Sequence, residues 1–401
     1  MSHARPAFAG AIAFVCALAD PVSASFILPP DISASDAPMC GVVVAAPNDG
    51  ARMLFHNPAG IAAIEGTEAG YGVFAFPVSG RYENDATGYD EKSAEFAMAP
   101  TAWVKTDALD PWHVGGGIYG SVGTSFNFAE DPAAGFPNRF LGESSVLQFG
   151  LVVGREITPG LRIGAQIAPA YGKIRARFPS PLGAVSFDVD GFGIGGLAGL
   201  TWEFIEGTTF GVAYRGPARV WMSGDADVGA TDDEVDFTFH IPQSVSFGFA
   251  HELTPSLVLL AQAKWADYPE FEKSTFEYER TPALDQPFIR DAKARFRYGA
   301  GVEWSVTEDF LVRGGFSTED WMMEESALSP LLYDNFDVLV GAGIAVRFLE
   351  RWKVDATVGY SYADDRVVTA DQNPLFPGRY EVSVPIVAGF LLTYRFGEGE
   401  I

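Results

Sequence analysis

A long apolar alternation near the C-terminus constrains the fold of this chain more than any other feature. From Val382 to Phe396 every second residue is apolar, while the residues between them are mixed, small or charged. Successive side chains of a β-strand point to opposite faces, so this stretch has one continuously apolar face. The stretch is longer than the roughly 5–6 residues of an ordinary strand. Its length suits a tilted strand that crosses a membrane.

The same unit recurs along the chain, because further stretches also place an apolar face opposite glycine and charged residues. From about residue 67 onward they predict fourteen extended segments, near 68–78, 94–106, 112–123, 145–156, 161–172, 187–204, 208–222, 239–252, 257–268, 294–306, 309–319, 336–348, 352–363 and 380–396. Six short turns alternate with seven longer polar loops, which is typical of an up-and-down barrel with one plain rim and one elaborate rim. We therefore predict an all-β fold, a 14-stranded antiparallel transmembrane β-barrel over residues 67–401. Lipid offers no partner to an open sheet edge, so the first and last strands should pair.

The N-terminus has the pattern of a secretory signal peptide. His3 and Arg5 precede an apolar run at 7–18, and small residues at 22–24 offer a cleavage site. That run is too short to cross a bilayer as a helix. We expect a signal peptide at residues 1–24 and a location in the outer membrane of a Gram-negative bacterium. Cys40 is then the only cysteine of the mature chain, which excludes an internal disulfide.

Residues 25–66 form an irregular segment without clean alternation. They are rich in proline, glycine, serine and asparagine, which predicts turns and short helical pieces. Their apolar content is nevertheless too high for a disordered tail. The inward face of the predicted strands carries glycine pairs, such as Gly299 with Gly301 and Gly341 with Gly343, and these leave room for other backbone. We predict that residues 25–66 are an N-terminal plug, or hatch, inside the barrel lumen.

The charge of the chain excludes some partners. A formal net charge of −25 is incompatible with binding to nucleic acid phosphates. The acidic run at 225–236 is interpreted either as a solvated loop that bridges cations to lipopolysaccharide or as a calcium site, for which Gly229 is misplaced. The glycine spacing at 191–196 fits a dinucleotide-binding motif, but a strand rather than a helix follows it. Arg215, beside Gly216 and Pro217, is either a contact for a carboxylate or a structural arginine.

The order of several motifs resembles one known family, the outer-membrane long-chain fatty-acid transporters of the FadL/TodX type. The matching stretches are Asn57-Pro58-Ala59-Gly60, the segments at 210–217, 241–248 and 311–316, and the closing strand that follows Gly378-Arg379-Tyr380 and ends at Phe396. The similarity covers nearly the whole mature chain. Two departures are the five residues after Phe396 and a loop at 173–186 that is shorter than the large third loop of the family.

The resemblance implies a transport mechanism without catalysis. A hydrophobic ligand, most simply a long-chain fatty acid, is captured outside, enters an apolar lumen pocket and is released when the plug rearranges. It then leaves sideways through a gap in the barrel wall at a kink of the third strand. The partners expected are this ligand and outer-membrane lipid or lipopolysaccharide, with the protein a monomer. No cofactor, metal site or catalytic residue is expected.

The resemblance also assigns residues to this mechanism. Gly115, Gly116 and Gly117 on the third strand correspond to the kink, or alternatively clear space for the plug. The ligand-contacting aromatic residue of the family corresponds best to Phe26, or Phe26 packs the plug. Ile27 and Leu28 join Phe26 in the predicted ligand contact. From the residues themselves, Val220, Trp221 and Met222 are predicted either to contact ligand at the uptake surface or to belong to the outer aromatic girdle. Asn57, Pro58, Ala59 and Gly60 form the hatch motif.

Three other functions were weighed from the sequence. An aqueous diffusion porin would favour opposed rows of arginine and acid at a constriction, and the inward charges here are scattered. A structural or adhesive barrel is a further alternative. A phospholipase would need a serine and a histidine on adjacent lipid-facing strands, and no nucleophile signature lies beside His56, His113, His240 or His251.

Overall fold

The fold was examined in a computed structural model that describes residues 32–180, 183–332, 334, 337–383 and 386–397. In these residues, twenty β-strands form one sheet. The strands are β1 (Glu68–Asn84), β2 (Tyr89–Leu109), β3 (Trp112–Phe128), β4 (Phe140–Thr158), β5 (Leu161–Ser180), β6 (Gly183–Ile205), β7 (Thr208–Arg215), β8 (Ala218–Val228), β9 (Thr231–Ile241), β10 (Ser244–Thr254), β11 (Leu257–Ala266), β12 (Thr275–Tyr278), β13 (Gln286–Pro287), β14 (Arg295–Ser305), β15 (Phe310–Glu319), β16 (Asp337–Phe348), β17 (Trp352–Ala363), β18 (Arg366–Val368), β19 (Gly378–Ser383) and β20 (Val387–Arg395).

These strands form a closed antiparallel barrel whose wall contains fourteen membrane-crossing segments. Three of these segments consist of two successive strands each, β7 with β8, β9 with β10, and β19 with β20. The short strands β12, β13 and β18 lie in the loops of one rim. β20 pairs with β1 from Glu68 opposite Arg395 to Ala75 opposite Ala388, which closes the cylinder. The predicted strand number and the predicted pairing of the first and last strands are both confirmed.

The strands on one side of the barrel extend further than the sequence pattern suggested. Residues 173–180 and 183–186, expected to be loop, continue β5 and β6 as a regular ladder. In this extension Ile174 and Ala176 are buried, while Lys173 and Arg175 point outward. Such apolar-in, polar-out alternation is that of a strand with one face in water. The wall therefore continues above the apolar belt as a water-facing sheet.

The belt itself consists of outward-facing apolar side chains. Phe296, Tyr298, Val358, Tyr360 and Phe390 are each about half exposed on the outside of the barrel. The residues between them on the same strands face the lumen. The prediction that the apolar face of each strand points away from the barrel is therefore confirmed.

The segment before β1 fills the lumen as a plug. It contains a 3-10 turn (Ala37–Met39), a helix that we call α1 (Gly50–Phe55) and a second 3-10 turn (Pro58–Ala63). Among the helices in the described residues, none is both long and apolar enough to cross a membrane. Met39, Val43, Met53 and Leu54 of the plug are fully buried.

Inward-facing glycines make room for this plug, as predicted. A Cβ atom at Gly341 would lie 2.5 Å from the carbonyl oxygen of Ala37, and one at Gly301 would lie 3.1 Å from the Met39 side chain. Because only glycine leaves this space, the plug backbone can lie directly against the wall.

The loop rim is filled by a hydrophobic cluster. Phe271, Phe276 and Phe288 from the 267–294 loop pack on Phe237 and Phe239 of β9, with ring centroids 4.2–5.8 Å apart. The short-turn rim lies at the opposite end of the barrel, where the β1–β20 pairing starts at Glu68 and Arg395.

Candidate functional site

One side of the plug is held by buried ion pairs. Arg52 of α1 is fully buried, and its Nη2 lies 2.7 Å from Oε1 of Glu303 on β14. Glu303 also accepts a hydrogen bond of 2.9 Å from Nε of Arg313, which pairs in turn with Asp355 on β17. The N-cap of α1, Asp49, contacts Arg52 at 3.2 Å. These side chains link the plug to β14, β15 and β17.

The predicted hatch motif holds another side of the plug. The Asn57 amide donates to the carbonyl oxygens of Val44 at 2.8 Å and Leu200 at 3.0 Å, while its oxygen accepts from the backbone N–H of Ala59 at 3.1 Å. Asn57 is fully buried. The motif packs against inward glycines of β5 and β6, since Cβ atoms at Gly164 and Gly199 would clash with Pro58 and Asn57.

The barrel wall is interrupted between β2 and β3. These strands pair only from Leu109 opposite Trp112 to Ala102 opposite Ile118. Beyond that point residues 94–101 and 119–126, all within the described chain, form no backbone ladder with each other, and we call this stretch the β2–β3 interruption. Its upper end is closed by a hydrogen bond of 2.8 Å from the Asn127 N–H to the Ser93 hydroxyl.

Two local features cause the interruption. β3 carries a bulge at Ser121, where its pairing with β4 shifts between Gly120 and Val122. A bulge bends its strand and disrupts pairing. On β2, Pro100 has no N–H to give to a neighbouring strand. The interruption lies within the belt, because Phe96 and Met98 beside it are 65% and 50% exposed to the outside.

The register break of β3 lies four residues beyond the predicted kink at Gly115, Gly116 and Gly117. Gly115, Gly116 and Gly117 are regularly paired with both β2 and β4. A Cβ atom at Gly115 would lie 3.2 Å from Ile61, and one at Gly117 would clash with Leu54. The alternative interpretation, that these glycines clear space for the plug, describes Gly115 and Gly117. The bend is at Ser121, where a bulge rather than a glycine run breaks the register.

Two adjoining cavities lie in the lumen beside this interruption, each with about 420 Å³ of space free of atoms, including that at its mouth. Both are lined by Phe55, Arg215, Ser244 and Lys264. The upper cavity also contacts Ser121, Gln148, Gly196, Gly216, Ala218 and Ile241. The lower cavity also contacts Gly41, His56, Leu197, Ala213, Ser246, Gln262 and Arg297.

The shared lining carries two cations without a carboxylate partner. No hydrogen bond or ion pair joins Lys264 to any described residue, and no carboxylate in the described ranges lies within 4.0 Å of Arg215. Arg215 instead donates a hydrogen bond to the carbonyl oxygen of Phe55, and its guanidinium carbon lies 4.8 Å from the centroid of the Phe55 ring. The cavities therefore present positive charge next to an aromatic ring.

The structure separates the other predicted ligand residues. Val220 and Met222 are buried in the hydrophobic cluster at the loop rim, whereas Trp221 is 54% exposed on the outside. Neither cavity described above contacts them, and Trp221 fits the girdle alternative. Phe26, Ile27 and Leu28 lie outside the described residues, as does the predicted signal peptide.

Sequence reasoning missed Lys264 and Gln148 as cavity residues. Lys264 follows Leu260 and Gln262 at a spacing of two on β11, so the alternation alone places all three on the inner face. That signal was present, but it could not show which inward charge lacks a partner. Arg215, predicted to be either a contact for a carboxylate or a structural arginine, lines both cavities and donates a hydrogen bond to the plug.

A closed barrel with an apolar outer belt, a folded plug and a cation-lined lumen defines a class, the plugged transport barrels of outer membranes. Comparison with known proteins identifies the family. Residues 15–396 match the model of the outer membrane protein transport protein family (OMPP1/FadL/TodX). The chain belongs to this family. It is an outer-membrane transport protein for hydrophobic compounds and not an enzyme.

Solved structures share the fold at low identity. A Pseudomonas aeruginosa FadL homologue has a TM-score of 0.79 at 17% identity, covering 93% of this chain and 100% of that one. The P. putida toluene transporter TodX has a TM-score of 0.76 at 18% identity, with 92% and 100% covered. The Ralstonia pickettii toluene transporter TbuX has a TM-score of 0.71 at 16% identity, with 92% and 99% covered. Among curated proteins, none matches the sequence.

Proposed function

We propose that this protein carries hydrophobic compounds with an anionic head group, with long-chain fatty acids as the first class. The observation that supports this cargo is the pair of cations, Lys264 and Arg215, that line both lumen cavities without a carboxylate partner among the described residues. Ionisable residues inside a membrane protein are costly and usually functional.

The energetics favour an amphiphilic acid over a plain hydrocarbon. A charge taken out of water without a partner costs several kcal/mol, and a carboxylate placed beside Lys264 would offset that cost. A hydrogen bond to a charged group contributes about 1.5–3 kcal/mol. Burial of the alkyl chain adds roughly 0.8 kcal/mol per methylene. The head group therefore determines where the cargo stops, and the chain supplies most of the affinity.

The cargo leaves the lumen sideways through the β2–β3 interruption. Ser121 lies in the upper cavity and at the bulge that ends the ladder, so the cavity adjoins the weakest part of the wall. A Cβ atom at Gly120 would meet no atom within 4 Å, which indicates free space there. The plug closes the straight path below, held by Arg52 and Asn57.

Monoaromatic hydrocarbons are the second candidate cargo. Two of the similar structures are named as toluene transporters, and another as a monoaromatic hydrocarbon channel. A hydrocarbon offers no counter-charge to Lys264, so this candidate leaves the two lumen cations without a role.

Binding to the purified full chain in detergent tests the proposal. Lys264→Met should weaken binding of dodecanoate at pH 7 by about 10- to 100-fold, because one charged hydrogen bond is lost. The same variant should leave toluene binding unchanged. Lys173→Met, which removes an outward-facing lysine paired with Asp188 at 3.0 Å, is the matched control and should affect neither probe.

Mass spectrometry of lipid extracted from the purified protein provides an independent test. Fatty acid in the extract would support the proposal. Toluene binding together with unaltered dodecanoate affinity in Lys264→Met would overturn it in favour of hydrocarbon transport. Steady ion conductance in planar bilayers would indicate a porin instead.

A further inference from the structure

Gln148 on β4 is a buried amide in the upper cavity that its surroundings do not satisfy. It is 3% exposed, and its Oε1 is enclosed without a hydrogen-bond partner among the described residues. A buried polar group left in this state costs about 1–3 kcal/mol. Since the side chain lines the cavity, a polar group of a bound molecule is its natural partner.

Two other lumen-facing glutamines, Gln166 and Gln262, have a structural role and can be compared with Gln148. Gln166 accepts from the Tyr119 hydroxyl at 3.2 Å and donates to the carbonyl oxygen of Leu54 at 2.8 Å. Gln262 accepts from the N–H groups of Val43 and Val44 at 3.0 and 2.9 Å. Both hold the plug. Gln148 makes no such contact with the described part of the plug.

Gln148 also lies between the cations and the wall interruption. It is directly opposite Tyr119 of β3 in the ladder, two residues from the bulge at Ser121. Ser121 lines the same cavity, and its hydroxyl makes a long hydrogen bond of 3.4 Å to the carbonyl oxygen of Val146. The cavity thus has Lys264 and Arg215 on one side and two neutral hydrogen-bonding groups towards the exit.

We propose that Gln148 and Ser121 form a second polar subsite, which binds the uncharged form of the cargo head group, a protonated carboxyl or a hydroxyl. The subsite rests on the proposed function, since it serves the same cargo on its way out. The amide accepts the head-group O–H through Oε1 and donates through Nε2, and the Ser121 hydroxyl supplies a further partner.

This subsite serves the exit of the cargo from the lumen into lipid. A carboxylate cannot enter hydrocarbon cheaply, because an unpaired charge there costs several kcal/mol. The carboxylate takes up one proton from water in the lumen and becomes a neutral acid, which no longer needs Lys264. Gln148 and Ser121 then hold this neutral group beside the β2–β3 interruption until the cargo moves into the membrane.

Two probes separate the subsites in the purified full chain: 1-dodecanol, which is uncharged and has one O–H, and dodecanoate at pH 7, which is anionic. Gln148→Leu should weaken 1-dodecanol binding about fivefold or more, the loss of one hydrogen bond, and dodecanoate binding less than twofold. Ser121→Ala should act in the same direction with a smaller effect. Gln372→Leu, on an exposed loop, is the control and should change neither affinity.

The melting temperature provides a second measurement. Removing an unsatisfied buried amide should not lower it, whereas the loss of a structural glutamine would. Unchanged 1-dodecanol binding in Gln148→Leu, or equal weakening of both probes, would overturn the second subsite. Unchanged dodecanoate binding in Lys264→Met would instead overturn the anionic cargo, so the two failures are distinguishable. If Gln148→Leu does not fold, Ser121→Ala decides through the same two affinities.

Discussion

The two sides of the lumen balance their charges in different ways. On the side of β14, β15 and β17, Arg52, Glu303, Arg313 and Asp355 form a continuous set of buried ion pairs. On the other side, Lys264 of β11, the strand that pairs with β14, and Arg215 of β7 face the cavities without a carboxylate within 4.0 Å in the described residues. Both sides place cations in the lumen, but only the first provides their counter-charges from the described residues.

This difference assigns a different task to each side. Buried charges are tolerated when they are paired, and breaking such a pair is strongly destabilising. The paired side therefore fixes the plug against the wall. On the unpaired side, the cations are available to bind a molecule that is not part of the chain. The cavity on this side adjoins the β2–β3 interruption. Holding and transport are thus carried by different sets of lumen residues in one barrel.

The largest expected effect comes from breaking the paired side. Arg52→Met should lower the free energy of unfolding by about 3–5 kcal/mol, because Glu303 loses one of its two partners in a buried site. Lys264→Met, by contrast, removes a partly buried cation that has no ion pair to any described residue. It should leave stability unchanged or raise it. Unfolding in urea, followed by tryptophan fluorescence, measures both variants.

The matched control for Arg52 is Arg175→Met. Arg175 also contacts two carboxylates, Glu143 at 3.3 Å and Asp188 at 3.2 Å, but on the water-facing extension of β5. Exposed pairs contribute about 0–1 kcal/mol. Equal losses in Arg52→Met and Lys264→Met would remove the distinction between a holding side and a binding side.

Two glycines on β3 provide a second comparison, between a wall position packed against the plug, Gly117, and one beside the interruption, Gly120. Gly117→Val places methyl groups against Leu54 and the Ala102 carbonyl, and such overpacking should cost about 1–3 kcal/mol of stability. Gly120→Val enters free space beside the interruption, so stability should hold while uptake of radiolabelled dodecanoate by cells falls. Normal uptake in Gly120→Val would place the exit elsewhere.

The fold was predictable because its main determinant is local. Alternation of period two identifies strands directly, and the predicted segment at 352–363 agrees with β17 at both ends. The extensions of β5 and β6 were missed because their outward residues are charged, such as Lys173 and Arg175, and charged stretches also suit loops. Above the belt the outer face meets water, so polar residues continue the strand.

The site was less predictable because it depends on the absence of a carboxylate near Lys264 among the described residues. Alternation places Lys264 on the inner face, but its lack of a carboxylate partner results from the packing of several distant strands. The kink was placed at Gly115–Gly117 because glycine permits bending. The register instead breaks at Ser121, and a register shift depends on the partner strand as well as on the residue that bends.

Acid should weaken the paired side in a defined range. Burial raises the pKa of Asp49, but Arg52, Lys353, the Arg52 N–H and Arg313 together hold it at about 2, against 3.8 for an ordinary aspartate. The folded-state pKa is the lower one, so this stabilisation is present above pH 3.8 and is lost as the pH falls towards 2. The shift corresponds to about 2 kcal/mol. Urea unfolding between pH 5 and pH 2 should show this loss, and a parallel curve for Asp49→Asn would contradict it.

The smallest predicted effect concerns His56, which lines the lower cavity on the unpaired side. Burial lowers the pKa of His56 below 6.5, and the nearby Lys264 and Arg215 cations lower it further. The hydrogen bond of 2.7 Å between His56 and Asp36 raises this pKa and only partly offsets the decrease. The unfolded chain then binds a proton more readily than the folded one, so stability should decline as the pH falls below 6.5. Lys264→Met should reduce this slope, because it removes one of the nearby charges that oppose protonation. Arg175→Met, whose charge lies outside the barrel, should leave the slope unchanged. Urea unfolding between pH 7.5 and pH 5.5 measures the slopes, and identical slopes in the wild type and Lys264→Met would show that the lumen cation does not act on His56.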